Sequence, residues 1–212
     1  MNIPSSIPDD DCQLCPRLVS FRNKNRTRFP DWHNGPVPSF GSISSHVLIV
    51  GLAPGLKGAN RTGRPFTGDV AGDLLYPTLL RVGLAKGDFT AAPDDRIELI
   101  NCRITNAVRC VPPQNKVMGP ETESCRSFLE TEISMMKDLR VILALGGVAH
   151  GAVLSAFGKK KSASPFSHGA HHKLNAELSL MDSYHCSRYN TNTGRLTTKM
   201  FIDVFQDIVS LL

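Results

Sequence analysis

Apolar residues recur along this chain in short runs separated by polar, glycine-rich stretches. Val47–Val50 is a β-branched block closed by Gly51, the pattern of a strand covered on both faces. Val141–Leu145 and Glu177–Ser183 read as two further strands, and Glu98–Val108 as a strand region leading into Arg109, Cys110 and two prolines. Between them, helical spacing predicts helices over Asp69–Val82, Pro120–Leu139 and Gly147–Phe157. A closing helix over Thr197–Leu212 places Phe201, Val204, Phe205, Ile208 and Leu211 on one face. Strand and helix alternate, which predicts an α/β fold: a three-layer α/β/α sandwich around a central, mainly parallel four-stranded sheet with right-handed crossovers. Arg17–Arg28 holds five basic residues and reads as a solvated helix or arm, while Gly158–Lys173 reads as a mobile, basic, histidine-containing loop.

Length and composition narrow the picture. The 212 residues suit one domain over 1–212, and 41% hydrophobic against 20% charged residues excludes disorder. A net charge of +5 favours an anionic partner. Met1–Asp11 has neither the basic start nor the apolar stretch of an export signal, so a cytoplasmic protein is expected. The apolar stretch Val141–Gly158 is broken by Gly146, Gly147 and His150, which argues against a membrane span. Six cysteines in such a chain point to metal rather than disulfides. Cys12 and Cys15 form a C-x2-C clip, and Cys110 and Cys125 a looser pair with 14 residues between them. Four thiolates can close one site, and spacing does not separate zinc from an iron–sulfur cluster. Cys102 and Cys186 read as buried, non-ligating thiols. His168, His171 and His172 resemble a metal cluster but sit in a basic loop without carboxylates, and read as surface or phosphate-contacting residues.

Three loops fall at the C-terminal ends of the predicted strands: Gly51–Asp69, Asn106–Pro113 and Tyr184–Arg195. They are expected to converge on one cleft. The first offers the π-face of Phe66 and the carboxylate of Asp69, the second the amide of Asn106, the third the imidazole of His185. An aromatic platform, an edge-reading amide and an imidazole suit a planar heterocycle. Gly58–Pro65 has the glycine spacing of a phosphate-binding loop, but Arg64 stands where the lysine belongs and Pro65 where a hydroxyl would hold magnesium. The match fails where that chemistry needs it.

The nineteen residues Gly51–Asp69 (GLAPGLKGANRTGRPFTGD) resemble the first motif of the family-5, or type B, uracil-DNA glycosylases. Asp182–Asn190 (DSYHCSRYN) with Thr193–Thr197 (TGRLT) is similar to the second motif, and Ile104–Pro113 (ITNAVRCVPP) to the segment joining base pocket to cluster. The similarity runs from Cys12 nearly to the C-terminus. It implies an N-terminal iron–sulfur segment within the single glycosylase domain and a structural 4Fe-4S cluster on Cys12, Cys15, Cys110 and Cys125. It further implies removal of uracil and other deaminated or damaged bases, such as hypoxanthine and ethenocytosine, from DNA in base excision repair. Residue by residue, Gly51, Ala53, Phe66, Asn106 and His185 would contact the base, Asp69 and His185 would be catalytic, and Arg188, Asn190 and Arg195 would meet DNA through a loop that intercalates at Cys186–Asn190. The implied protein is a monomer, associated with the nucleoid, acting on duplex DNA with single strands as a second candidate.

These roles have a physical basis. Extruding a base costs roughly a few kcal/mol, of which stacking on an aromatic ring returns about 1–3 kcal/mol. Breaking the N-glycosidic bond leaves positive charge on the sugar and negative charge on the base, which a donor at His185 would stabilise, while Asp69 would orient water or stabilise the sugar cation. No nucleophilic lysine is implied, so the expected product is an abasic site. Leu52 and Ala53 stand where better-known members of the superfamily carry an acidic residue, which shifts weight to Asp69 and fits a tolerant pocket. Cys186 stands where proline commonly follows the histidine, leaving that loop a freer backbone. Blander roles exist for each residue: a helix cap for Asp69, core packing for Phe66, a turn for Asn106, a core histidine for His185. The competing function is a non-catalytic nucleic-acid binding protein whose four cysteines hold a cluster or zinc.

Overall fold

The structure, a computed structural model, describes residues 5–92 and 95–212. Its strands are β1 (Val47–Gly51), β2 (Ala85–Lys86), β3 (Glu98–Leu99), β4 (Cys102–Asn106), β5 (Val141–Leu145), β6 (His171–Lys173) and β7 (Ser179–Ser183). Its α-helices are α1 (Pro16–Arg28), α2 (Ala59–Thr62), α3 (Val70–Arg81), α4 (Gly119–Met135), α5 (Gly147–Ala156), α6 (Arg188–Asn192) and α7 (Thr198–Ser210).

The sheet runs β4-β1-β5-β7-β6, with every pairing parallel except β6 on β7. Alternate residues of the apolar strands serve opposite faces. Val47, Ile49, Ile104, Leu143 and Met181 pack with Leu75 and Tyr76 of α3 and Phe201 and Phe205 of α7. Leu48, Val50, Ile142, Ala144 and Leu180 pack with Leu129 of α4 and Val153 and Leu154 of α5. The three layers expected from the alternation are present.

Several expectations need correction. The sheet has five strands, not four, because His171–Lys173 of the supposed mobile loop adds an antiparallel edge. Three polar residues at a sheet edge carry no apolar signal, which is how natural edges are protected. The region Glu98–Val108 is two strands. The chain turns at Asn101, φ +49°, so that β3 pairs with β2 in a separate ribbon. The basic helix α1 is not simply solvated: Leu18, Arg22 and Asn25 are buried, and Arg17 grips Glu121 of α4 with Nε and Nη2 at 2.7 and 2.8 Å. Helix α4 stops at Met135, short of Leu139, where the backbone of Met136 leaves helical angles. Among the described residues, no helix is long and apolar enough to cross a membrane.

One ionic cluster ties a site-bearing loop to this frame. Glu132 of α4 is fully buried and accepts from Arg103 Nε at 2.6 Å and Arg109 Nη2 at 2.5 Å. Its carboxyl is held below the ordinary range despite burial, by the two guanidinium groups. The segment 103–109, which carries Asn106, is thereby clamped at both ends to α4.

Candidate active site

Chain order reverses across the sheet between β1 and β5, since β4 follows β1 on one side and β5 returns on the other. A crevice forms outside the carboxyl ends of strands at such a switch point. A cleft of about 470 Å³ lies there, lined among others by Leu52, Ala53, Asp69, Leu145, His185 and Arg188.

The Gly51–Asp69 loop is fastened before it reaches the cleft. Arg64, at the position of the missing phosphate-loop lysine, is spent on a bidentate pair with Asp95 at 2.7 and 2.8 Å and lies over the rings of Phe40 and Tyr76. Tyr76 Oη donates to Pro65 O at 2.7 Å. Phe66 is held at φ +56°, an outlier for a bulky residue, and is 7% exposed. Asp69 divides its two oxygens. Oδ1 caps α3 by accepting from Ala71 N and Gly72 N at 3.2 and 3.3 Å, while Oδ2 faces the glycines at 55 and 58. Burial pushes the Asp69 carboxyl up from its ordinary value.

Gly51 pairs in register with Asn106. A methyl group added at Gly51 would stand 2.7 Å from Phe66 Cζ and closer still to Asn106 Oδ1. The ring of His185 lies 6.0 Å, centroid to centroid, from that of Phe66, at 28° between planes. The structure therefore brings Gly51, Phe66, Asn106 and His185 together, and of these His185 shares the cleft with Asp69 and Ala53. Phe66 and Asn106, at 7% and 3% exposure, are buried beside His185 and lie outside the cleft's lining.

The amides of Asn34, Asn60 and Asn190 are engaged by other atoms of the fold. Among the described residues, the Asn106 amide and the His185 ring make no hydrogen bond to protein. Burial lowers the His185 pKa to about 4, so its imidazole is neutral at physiological pH. The backbone beside it is set by Asn190, whose Nδ2 donates to His185 O at 2.8 Å. Asn190 thus points inward. Arg188 is exposed beside the cleft, and Arg195, also exposed, lies 4.5 Å over the Tyr184 ring. Tyr189, which follows Arg188 on α6, is 71% exposed. It falls within the Cys186–Asn190 segment for which the family resemblance implies intercalation, and a lone aromatic in a polar run is the readable signal there.

The histidines of the 158–173 segment are corrected too. His168 is packed: its Nδ1 accepts from Tyr184 N at 3.2 Å and its ring stacks on Tyr184. His172 Nε2 donates to Asp182 Oδ2 at 3.3 Å, and His150 Nδ1 lies 2.8 Å from Asp182 Oδ1. His150 Nε2 donates to Ser164 O at 2.8 Å, which places one shared proton between His150 and Asp182. With both Asp182 oxygens and both His150 nitrogens engaged, the trio is a closed hydrogen-bonded pin joining α5, β6 and β7 just before His185. Only His171 stays exposed, with Nε2 2.8 Å from Ser179 Oγ.

Residues 38–209 match the family model described as the uracil DNA glycosylase superfamily. The chain belongs to that superfamily. It is 45% identical to the type-5 uracil-DNA glycosylase of Thermus thermophilus over 201 residues, covering 92% of this chain and 91% of the relative. With the type-5 enzyme of Mycobacterium leprae it shares 42% identity over 208 residues, 94% of this chain and 91% of the other. A type-4 uracil-DNA glycosylase of Pyrobaculum aerophilum is 33% identical over 151 residues, 71% of this chain and 68% of its own length.

Against this family background the cysteines fall into two groups. Cys102 and Cys186 are fully buried in the apolar core and do not line the cavity of the other four, as expected of packing thiols. Cys12, Cys15, Cys110 and Cys125 line one small cavity with Leu18, Arg22 and Phe128, and none is in a disulfide. Burial pushes the Cys110 thiol up to about 12 and raises those of Cys15 and Cys125. Four converging thiols fit a soft metal centre, and a positive centre would convert them to thiolates. The guanidinium of Arg22 in the same cavity has two N–H edges without an acceptor, a donor set awaiting negative charge.

Proposed function

We propose that this protein is a monofunctional DNA glycosylase that extrudes uracil from DNA, cuts its N-glycosidic bond and leaves an abasic site in base excision repair. The observation that carries this reading is the pair of unpartnered polar groups, Asn106 amide and neutral His185 imidazole, beside the Phe66 ring. A planar base stacked on Phe66 would present its Watson–Crick edge to Asn106, whose amide both donates and accepts. His185, neutral and unprotonated on one nitrogen, would donate from the other to the carbonyl oxygen on which charge develops. Such a donor placed in advance is worth about 10²–10³ in rate. Asp69, made more basic by burial and with Oδ2 uncommitted to the helix cap, would orient water or offset the sugar's positive charge. Among the described residues no lysine lines the cleft, which supports water rather than an amine as the nucleophile. Arg188 and Arg195 would meet phosphates, Asn190 would hold the His185 backbone, and Tyr189 would enter the stack where the base has left.

Leu52 and Ala53 give the cleft an apolar wall. That supports acceptance of hypoxanthine and ethenocytosine beside uracil, since an apolar wall has fewer unmet polar groups with which to reject a different ring. Cys12, Cys15, Cys110 and Cys125 would hold a 4Fe-4S cluster, which supplies a structural staple and takes no part in bond cleavage. The whole chain would act as a monomeric domain on duplex DNA, with single strands as a second substrate form.

The test is incubation with a duplex bearing one uracil, followed by alkali. Strand breakage at the uracil is expected in wild type, is slowed about 10²–10³-fold in His185→Ala and falls in Asp69→Ala. Tight DNA binding without breakage would favour the non-catalytic reading. Parallel duplexes carrying hypoxanthine or ethenocytosine read the breadth of the pocket.

A further inference from the structure

Arg22 lies seven residues beyond Cys15, two turns of helix, and so on the same side of α1. It is 2% exposed and lines the cavity of the four cysteines. Its Nη2 donates to Cys12 O at 3.0 Å, but Nε and Nη1 reach no acceptor among the described residues. Asp11, the neighbour of Cys12, commits its carboxylate to Arg26 at 2.5 Å. Folds rarely keep an always-charged group buried with idle donors unless something anionic meets them. The cavity it lines also holds the sulfur atoms of Cys12, Cys15, Cys110 and Cys125.

We propose that Arg22 is a positioning residue for a tetrathiolate metal centre, donating its two idle N–H edges to anionic sulfur and offsetting part of the centre's negative charge. The proposal rests on reading Cys12, Cys15, Cys110 and Cys125 as ligands. Four thiolates around either a 4Fe-4S core or zinc leave net negative charge in a cavity whose lining includes the Arg22 guanidinium. Removing that cation leaves the negative charge of the bound centre less compensated, so metal escapes faster. In an iron–sulfur centre, a nearby positive charge also favours the more negative, reduced state, so its loss lowers the reduction potential. Lysine restores the charge but not the planar fork.

The test uses full-length protein purified without oxygen, with metal content measured and release to a chelator followed in wild type, Arg22→Met and Arg22→Lys. Release about tenfold faster in Arg22→Met is expected, with Arg22→Lys intermediate. Where the centre is iron, the potential should fall in Arg22→Met and return toward wild type in Arg22→Lys. Should Arg22→Met fail to fold, Arg22→Lys still decides: release at the wild-type rate overturns the proposal. A metal-loaded wild type with both variants within twofold of it overturns the role of Arg22 alone. A wild type without metal overturns the ligand reading and this proposal with it.

Discussion

Replacing Gly51 with alanine loads the proposed base pocket at a single point. The backbone at Gly51 is ordinary strand, paired with Asn106 on one side, so the substitution introduces no forbidden dihedral. The new methyl carbon would stand 2.7 Å from Phe66 Cζ, whereas carbon atoms settle at about 3.5–4.0 Å. The ring must withdraw by about 1 Å, and the Asn106 carbonyl, closer still, must turn aside. Displacements of about 1 Å in a reacting assembly cost about 10²-fold in rate, and overpacking a filled region costs roughly 1–3 kcal/mol in stability. Single-turnover excision from a uracil duplex should therefore slow about 10²-fold, while urea denaturation reports only the modest stability loss. Gly119→Ala is the control, because its added methyl meets nothing within 4 Å. If Gly51→Ala folds and cuts within threefold of wild type, Phe66 and Asn106 do not form the floor on which the base rests.

Other outcomes follow from the same geometry. His185→Ala should lower the single-turnover rate by about 10²–10³ with duplex affinity nearly unchanged; an effect confined to affinity would refute the charge-stabilising role. The unfolded His185 takes up a proton near its ordinary value and the folded one only near pH 4, so the unfolded chain binds more protons between about pH 6.5 and 4. Stability accordingly drops as the pH is lowered through that window, and His185→Gln should flatten the slope of urea midpoint against pH. Glu132→Gln leaves Arg103 and Arg109 buried without a counter-charge and should cost about 3–5 kcal/mol in urea unfolding, with a loss under about 1 kcal/mol contradicting the clamp. Tyr189→Ala should slow excision from duplex about tenfold, in line with one lost base–aromatic stack of about 1–3 kcal/mol, and leave single-stranded substrate unaffected.

The parts of the molecule that were legible in advance are those with strong periodic or chemical signals. Apolar strands such as Val47–Gly51 and the one-faced helix α7 followed from hydrophobic spacing, and the convergence of three loops followed from the alternation of elements. What escaped was decided by partners distant in sequence. Nothing local in His171–Lys173 announces a strand, because its hydrogen bonds come from β7. Arg22 and His172 look like surface residues until α1 docks on the cysteine cavity and Asp182 turns toward α5. The freedom of the Asn106 and His185 side chains is likewise visible only once every neighbouring donor and acceptor has been assigned.

The split duty of Asp69 bears on any mutational survey of this protein. One oxygen anchors the first turn of α3 and the other faces Gly55 and Gly58, so most replacements remove the anchor together with the proposed catalytic charge, and a library scored for repair alone merges misfolded with merely inactive molecules. Serine or threonine at this position preserves the anchor and deletes the charge. Scoring cellular abundance alongside repair at this one codon would separate the carboxylate's contribution to making the protein from its contribution to the chemistry.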